Sequence, residues 1–335
     1  MNEVRCAARR HTRRTALRTA IALAGAGLAS AGCASADQPS TSRLESSPNR
    51  SPWGAFIPTV VAQSESARPP IAGLTALAGA APKYLHIFRA IGDAVPVNEL
   101  DAIIAAGATP LLTLEPWLPD AGVAQPQYAL ARVAAGAFDA DLARWGSDLA
   151  SWGHPLLLRW AQEMNGDWYP WAVGVNGNSA SDYRAAWARM RAAIEPSDRL
   201  RLVWAPNTVT LGTSSFAHCY PGDDAVDVLG IDGYNWGDLP GHHWQGAAEL
   251  FTPGLHALNE LGGRQPILIT EVASAEGATA QDKAQWISDF FGVVANNSRV
   301  AGFVWFQIDK ERDWRFNSTP QSAAAFRAGL QRLRR

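Results

Sequence analysis

Two glutamates stand at the ends of apolar runs, where a carboxyl group could take part in chemistry. Glu163 follows three leucines in the run 155–166, and Glu271 ends the apolar stretch of the run 266–274. Paired carboxyl groups in a cleft can hydrolyse a glycosidic bond, because one protonates the leaving oxygen while the other attacks the anomeric carbon or activates water. Retention needs a separation of about 5–5.5 Å, and inversion about 6.5–9.5 Å. The alternative for either glutamate is a structural ion pair with an arginine such as Arg159.

Aromatic residues lie near the ends of the same kind of run, and they predict a sugar-binding cleft. Sugar rings expose C–H faces that stack on indole rings, while their hydroxyls bond to polar side chains. Five of the 14 tryptophans fall at or just beyond run ends: Trp117, Trp168, Trp171, Trp236 and Trp305. Four others lie in helical stretches and are expected to fill the core: Trp145, Trp152, Trp187 and Trp286.

The run 226–237 carries a tyrosine beside these aromatic residues. The hydroxyl of Tyr234 could donate a hydrogen bond to a nucleophilic carboxylate and favour its ionised form. The alternative is that the Asp232-Gly and Asn235-Trp-Gly sequences only form turns.

Eight apolar runs alternate with amphipathic stretches after residue 52. The runs are 53–59, 84–92, 109–117, 155–166, 200–207, 226–237, 266–274 and 300–310, and the helical stretches are 97–107, 140–153, 181–195, 245–262 and 281–297. Cap residues mark several helix starts (Asn98, Ser181, Thr279) and glycines mark several ends (Gly107, Gly153, Gly262). Buried strands alternating with helices predict an α/β fold with a parallel sheet covered on both faces. Eight units favour a single (β/α)8 TIM barrel, with its active site at the carboxyl ends of the strands.

The first 51 residues have a different composition. Residues 1–32 contain six arginines followed by a short apolar run, which predicts an export signal. Cys33 resembles the lipidated cysteine of a bacterial lipobox, and residues 12–17 resemble a twin-arginine signal. Residues 33–51 are rich in Ser, Pro, Thr and Asn and are expected to form a flexible tether. The alternative for residues 1–32 is a disordered arginine-rich tail. Residues 52–335 are expected to form the catalytic domain.

Composition narrows the class of ligand. Charged residues make up 18% of the chain, compared with about a quarter in an average globular protein. Residues 33–335 contain 23 basic and 30 acidic residues. An acidic surface repels nucleic acid, so a neutral polysaccharide is the expected partner. No histidine spacing suggests a metal ligand set, and His242-His243 is expected at a cleft rim. We expect a monomer without metal or cofactor, with membrane contact only through a lipid anchor at Cys33.

Several motifs together resemble glycoside hydrolase family 26, which is best known for endo-β-1,4-mannanases. They are Arg159-Trp-Ala-Gln-Glu163-Met-Asn-Gly-Asp-Trp-Tyr-Pro-Trp171, Val203-Trp-Ala-Pro-Asn207, Gly230-Ile-Asp-Gly-Tyr-Asn-Trp236, Ile269-Thr-Glu271, Val304-Trp-Phe306 and Leu114-Glu-Pro-Trp117. The resemblance spans about residues 52–320 and implies a retaining (β/α)8 barrel. In it Glu163 is the acid/base and Glu271 is the nucleophile.

The resemblance also assigns residues around the two glutamates. Tyr234 would position the nucleophile, Asp232 and Asn235 would line the cleft, and Trp305 would form the floor beneath the reacting sugar, flanked by Trp168 and Trp171. The full set of expected substrate-binding residues is Arg159, Gln162, Asn165, Asn207, Asp232, Tyr234 and Asn235 with Trp117, Trp168, Trp171, Trp236 and Trp305.

One residue departs from the family pattern. Gln162 stands where the family usually has histidine, at a position that touches the C2 substituent of the reacting sugar. An endo-β-1,4-mannanase is the first expectation, and an endo-β-1,3(4)-glucanase or a β-1,3-xylanase is an alternative on the same scaffold. A non-catalytic carbohydrate-binding lipoprotein is a third possibility.

Overall fold

Eight parallel strands close into a barrel in the computed structural model, which describes residues 52–61, 70–209, 215–261 and 263–334. The strands are β1 (Trp53–Phe56), β2 (Tyr84–Ala90), β3 (Thr109–Glu115), β4 (Leu156–Trp160), β5 (Leu200–Trp204), β6 (Val228–Asn235), β7 (Ile267–Ser274) and β8 (Val300–Phe306). They pair in chain order, and β8 closes onto β1. The predicted (β/α)8 barrel is confirmed.

Eight α-helices surround the barrel in the described part of the chain. They are α1 (Pro70–Ala78), α2 (Val97–Ala105), α3 (Leu130–Ala134), α4 (Asp139–Trp152), α5 (Ala180–Ala193), α6 (Ala247–Glu260), α7 (Ala280–Ala295) and α8 (Pro320–Leu333). The five predicted helical stretches correspond to α2, α4, α5, α6 and α7.

Local signals set several helix ends. Thr279 precedes the first residue of α7, as expected from the sequence, and its N–H and hydroxyl both donate to the Asp282 carboxylate, at 2.8 and 3.0 Å. Gly153 ends α4 with φ of 69°. Helix α5 is capped by Ser179 rather than Ser181, because the Ser179 hydroxyl accepts the Asp182 N–H at 3.1 Å. Helix α2 starts after Pro96 rather than at Asn98, and Gly262 lies outside the described residues.

The inside of the barrel is filled by alternate strand residues. Seven strands each contribute one side chain to a buried cluster that is separate from the helix-facing core: Tyr84, Leu111, Leu157, Val203, Val228, Leu268 and Val304. Strand β1 contributes Gly54 beside Tyr84, and a β-carbon there would lie 2.5 Å from the Tyr84 carbonyl oxygen. This apolar packing fills the interior of the barrel, so the polar residues lie toward the carboxyl ends of the strands.

The structure is silent on several sequence predictions. The export signal, the tether and Cys33 all lie outside the described residues. Within the described ranges, no helix combines the length and the apolar character that a membrane span requires.

Candidate active site

A cleft of about 730 Å³ opens where the strands of the barrel end. Seven of the predicted site residues line it: Trp117, Glu163, Trp168, Asn207, Tyr234, Trp236 and Glu271. Glu163 comes from the loop after β4, and Glu271 lies within β7. Both glutamates are only 6% exposed. The barrel thus brings the two predicted carboxyl groups into one cleft.

Glu271 is held by two hydrogen-bond donors, one for each carboxyl oxygen. The Arg159 guanidinium donates to Oε1 from below, and the Tyr234 hydroxyl donates to Oε2. Arg159 is fully buried and carries a fixed positive charge next to the carboxylate. A carboxylate with a buried cation and a hydroxyl donor is stabilised in its ionised form. This is the state that a nucleophile requires.

Glu163 has two neutral donors. Asn207 Nδ2 donates to Oε1 at 2.6 Å, and Trp168 Nε1 donates to Oε2 at 2.7 Å. The backbone is in the left-handed region at Glu163, with φ of 52°, and its N–H donates to the Ala205 carbonyl at 2.8 Å. Strain of this kind persists only where surrounding contacts hold it. Here those contacts direct the carboxyl group into the cleft.

The pKa of Glu163 is raised to about 7. Burial makes the largest contribution, and the negative charge of Glu271 adds to it. The hydrogen bonds from Asn207 and Trp168 and the charge of Arg159 oppose this rise. Glu163 can therefore hold a proton near neutral pH. Its neutral donors contrast with the buried cation and the hydroxyl that contact Glu271, and unlike surroundings of this kind separate an acid from a nucleophile.

A buried polar network lies next to Glu271. Arg159 also donates to Asp232 Oδ2 at 2.6 Å and to Thr113 Oγ1 at 2.7 Å, and Thr270 donates to the other Asp232 oxygen. Asp232 is fully buried and does not line the cleft, contrary to the prediction. Strand β6 directs the Asp232 side chain into the barrel, where it pairs with Arg159. Arg159 and Asp232 are positioning residues for Glu271.

Two of the predicted cleft tryptophans lie elsewhere. Trp305 is fully buried among Trp286, Phe290 and Phe326, on the helix side of β8, so the prediction that it forms the floor is wrong. Side chains alternate along a strand, and the next residue, Phe306, lines the cleft instead.

Trp171 is also fully buried and does not line the cleft. It stacks on Tyr169 with ring centres 4.3 Å apart, and its Nε1 donates to the Gln162 carbonyl oxygen at 2.7 Å. Tyr169 is the ring that reaches the cleft. Trp171 therefore supports the cleft wall from behind. The predicted core tryptophans behave as expected: Trp145, Trp187 and Trp286 are buried and Trp152 is partly buried.

Three predicted polar residues also support the site without lining it. Asn165 pairs with the backbone of Asn207 through two hydrogen bonds of 2.9 Å. Asn235 is fully buried, donates to Ser274 and accepts from two backbone N–H groups of the following loop. Gln162 is fully buried and donates to Glu115. Each was expected to touch substrate, but each instead fixes a loop or a neighbour.

The structure adds cleft residues that the sequence reasoning missed. They are Phe56, Phe88, Glu115, Tyr169, Phe306 and Trp314. Glu115 ends β3, so the criterion that selected Glu163 and Glu271 could also have found it. Four of the aromatic residues contact one another in a row together with Tyr234: Phe88 meets Phe56, Phe56 stacks on Phe306, and Tyr234 contacts both Phe306 and Trp314.

The segment between β8 and α8 forms another part of the cleft rim. It supplies Ile308, Lys310, Glu311 and Trp314. Lys283 of α7 is buried below it and donates to the Asp313 carbonyl at 2.7 Å and to Ser318 at 2.9 Å. We define residues 307–319 as the rim segment. His242 and His243, from the loop after β6, line the cleft beside it, and His242 stacks on Trp236.

No group of three or more His, Cys, Asp or Glu side chains within the described ranges has the geometry to hold a metal ion.

A closed eight-stranded barrel with one carboxyl group after β4, a second within β7 and an aromatic cleft has the architecture of a (β/α)8 glycosidase. The model of glycosyl hydrolase family 26 matches residues 130–290, which contain both glutamates. The chain belongs to glycoside hydrolase family 26.

Curated relatives support the same family. The chain is 35% identical over 239 residues to endoglucanase H of Acetivibrio thermocellus, in a match that covers 69% of this chain and 25% of the relative. It is 24% identical over 204 residues to a β-1,3-xylanase of an Alcaligenes species, covering 55% of this chain and 41% of the relative. The chain therefore spans a quarter to two fifths of the length of these relatives.

Solved structures share the fold. A family 26 β-mannanase from Bacteroides ovatus superposes with a TM-score of 0.63 at 17% identity, covering 87% of this chain and 91% of that one. At this level of identity the similarity concerns the fold.

Proposed function

We propose that this chain is a retaining endo-glycoside hydrolase that cleaves a neutral β-linked polysaccharide by double displacement. The observation that carries the proposal is the contrast between two carboxyl groups in one cleft. Glu271 has a buried cation and a hydroxyl as partners, while Glu163 has only neutral donors and a raised pKa. Opposite protonation states in neighbouring carboxyl groups are what this reaction uses.

In the first step, Glu271 attacks the anomeric carbon as Glu163 gives its proton to the departing glycosidic oxygen. The Glu271–carbon bond forms while the bond from that carbon to the leaving oxygen breaks. Negative charge at Glu271 is then lost to the covalent bond. The pKa of Glu163 falls as a result, because that charge had been raising it.

In the second step, the ionised Glu163 accepts a proton from a water molecule that attacks the same carbon. The glycosyl-enzyme bond breaks, and Glu271 is released as a carboxylate. Asn207 and Trp168 hold Glu163 in place through both steps, because their donors suit the ionised form that appears between them.

Two sugars compete as the natural substrate. A β-glucan is favoured by the relative named endoglucanase H. A β-1,4-mannan is favoured by the fold shared with family 26 mannanases. We place the β-glucan first, because the sequence match to that relative is stronger than a likeness of fold at 17% identity.

Paired substitutions test the catalytic assignment. Glu163→Gln should lower kcat on polysaccharide by about 10²- to 10⁴-fold, with a much smaller loss on an aryl glycoside whose phenolate leaves without protonation. Glu271→Gln should abolish turnover of both substrates. Glu99→Gln, which changes a half-buried carboxyl group that pairs with Arg89 and does not line the cleft, is the control.

The stereochemistry of the product is a second readout. Proton NMR of the first product formed should show the β-anomer, since two inversions give net retention. An α-anomer, or a Glu271→Gln variant with full activity, would contradict the mechanism. Assays on mixed-linkage β-glucan, β-1,4-mannan and β-1,3-xylan rank the substrates.

We further propose that residues 1–32 direct export and that Cys33 carries a lipid. The arginine-rich start and the lipobox-like sequence support this proposal. Metabolic labelling with a fatty acid in a bacterial host should mark the wild-type chain but not Cys33→Ser. Equal labelling of both would exclude Cys33 as the anchor.

A further inference from the structure

A third carboxyl group lines the cleft beside the two catalytic candidates. Glu115 is the last residue of β3, the strand that pairs with β4, and it is 7% exposed. The double displacement described above does not use it. A buried carboxyl group without a catalytic task needs another explanation, since its desolvation is costly.

The hydrogen bonds that Glu115 accepts within the protein leave part of its acceptor capacity for a ligand. Gln162 Nε2 donates to Oε1 at 2.8 Å, and Trp117 Nε1 donates to Oε2 at 3.1 Å. An ionised carboxylate can accept about four hydrogen bonds. The protein fixes the orientation of the group with these two donors while the same side chain faces the cleft.

Glu115 lines the cleft, whereas its partner Gln162 does not. Its side chain is fully buried, its amide donates to Glu115, and its backbone carbonyl accepts the indole N–H of Trp171. On this wall Glu115 and Tyr169 line the cleft, and Gln162 holds Glu115 from behind.

The position of Glu115 indicates which part of a sugar it meets. Gln162, its partner, immediately precedes Glu163, and the charge of Glu271 is close enough to raise the pKa of Glu115. Both catalytic carboxyl groups act at C1 of the sugar. The ring neighbours of C1 are the ring oxygen, which has no proton to donate, and C2, which bears a hydroxyl.

We propose that Glu115 accepts a hydrogen bond from the C2 hydroxyl of the sugar at the cleaved bond and thereby discriminates between C2 epimers. This inference rests on the proposed hydrolase function. The ligand class is a neutral sugar with a free C2 hydroxyl, because a carboxylate repels an anionic substituent at that position.

The protonation of Glu115 fits an acceptor that works near neutral pH. Burial is the main cause that raises its pKa to about 7, with a smaller contribution from Glu271, while Gln162, Arg159 and Trp117 oppose the rise. A donating hydroxyl stabilises the ionised form and so lowers the pKa in the complex.

The test compares two aryl β-disaccharides, a cellobioside and a mannobioside, which differ in the C2 configuration. The value of kcat/KM is measured for both with the wild type, Glu115→Gln, Glu115→Asp and the control Glu99→Gln. Thermal unfolding checks that each variant is folded. The Asp variant keeps the charge but withdraws the carboxyl group by one methylene, so it remains informative if the Gln variant fails to fold.

For each enzyme, the ratio is kcat/KM for the disaccharide that the wild type prefers, divided by kcat/KM for its C2 epimer. We expect both Glu115 variants to reduce this ratio about tenfold to hundredfold, as for the loss of a hydrogen bond to a charged group. Glu99→Gln should leave the ratio unchanged. An equal fall for both substrates, within a factor of two, would mean that Glu115 is only structural and would overturn the inference. Absence of wild-type hydrolysis on every glycan would instead overturn the proposed function, and the inference with it.

Discussion

Replacement of Trp168 by phenylalanine isolates one hydrogen bond to Glu163, the proposed acid/base. The indole Nε1 donates to Glu163 Oε2 at 2.7 Å, and Trp168 is 37% exposed. Phenylalanine keeps an aromatic face in the cleft but removes the donor. Since that donor stabilises the ionised carboxylate, its loss should raise the pKa of Glu163 above its present value of about 7.

The size of the rise follows from the strength of the bond. A hydrogen bond to a charged group contributes about 1.5–3 kcal/mol, and the partial exposure of the indole lets water replace part of it. The lower end of that range corresponds to about one pKa unit. Glu163 must be protonated in the first step, so a higher pKa keeps it competent to higher pH.

The alkaline limb of the profile of kcat/KM against pH should therefore move up by about one unit in Trp168→Phe. The measurement uses an unactivated oligosaccharide between about pH 5 and 10, so that protonation of the leaving group matters. Trp171→Phe is the matched control, because its indole donates to the Gln162 carbonyl and not to Glu163. An alkaline limb that stays in place or moves down in Trp168→Phe would refute the reasoning.

Three further changes probe the supports of the site. Arg159→Ala should lower the free energy of unfolding by about 3–5 kcal/mol in urea titrations, because two buried carboxylates lose their cation; a loss below about 1 kcal/mol would count against the network. Gly166→Ala should move the alkaline limb in the same direction as the loss of Trp168, since its β-carbon would lie 2.6 Å from that indole; an unchanged profile would show that the ring adapts. Gly54→Ala should destabilise by about 1–3 kcal/mol, measured by thermal unfolding, because the new methyl group meets backbone of β2, and a neutral effect would show that the strands can separate there.

The fold was predictable because strands of a parallel barrel are buried on both faces. Such strands appear as uninterrupted apolar runs, and all eight predicted runs contain a strand. The same continuity hides which face each residue takes. Trp305 and Phe306 stand side by side in one apolar run, so no alternation of polar and apolar residues indicates which of them faces the cleft.

Strand irregularities limited the prediction of the polar residues. The register shifts between Ile231 and Asp232 of β6, and again between Ile269 and Val272 of β7. A shift of one residue changes the face on which a side chain lies. The sequence could place Asp232 near the nucleophile, but it could not distinguish a cleft residue from a buried partner of Arg159.

Helices α1, α3 and α8 were not predicted. Helix α3 has only five residues, too few for a periodic pattern to be recognised. Helix α8 did carry a start signal, because Thr319 caps it and Pro320 occupies its first turn.

Lys283 of α7 holds the rim segment 307–319 through two hydrogen bonds. Neither of these hydrogen bonds involves Glu163 or Glu271. Burial lowers the pKa of this lysine to about 8, although Glu276 favours its charged form. The proposed catalytic carboxyl groups and the segment that shapes one edge of the cleft are thus held in place by different residues. Exchange of the rim segment, with Lys283 kept as its anchor, offers a route to altered chain recognition in which Glu163 and Glu271 keep their positions.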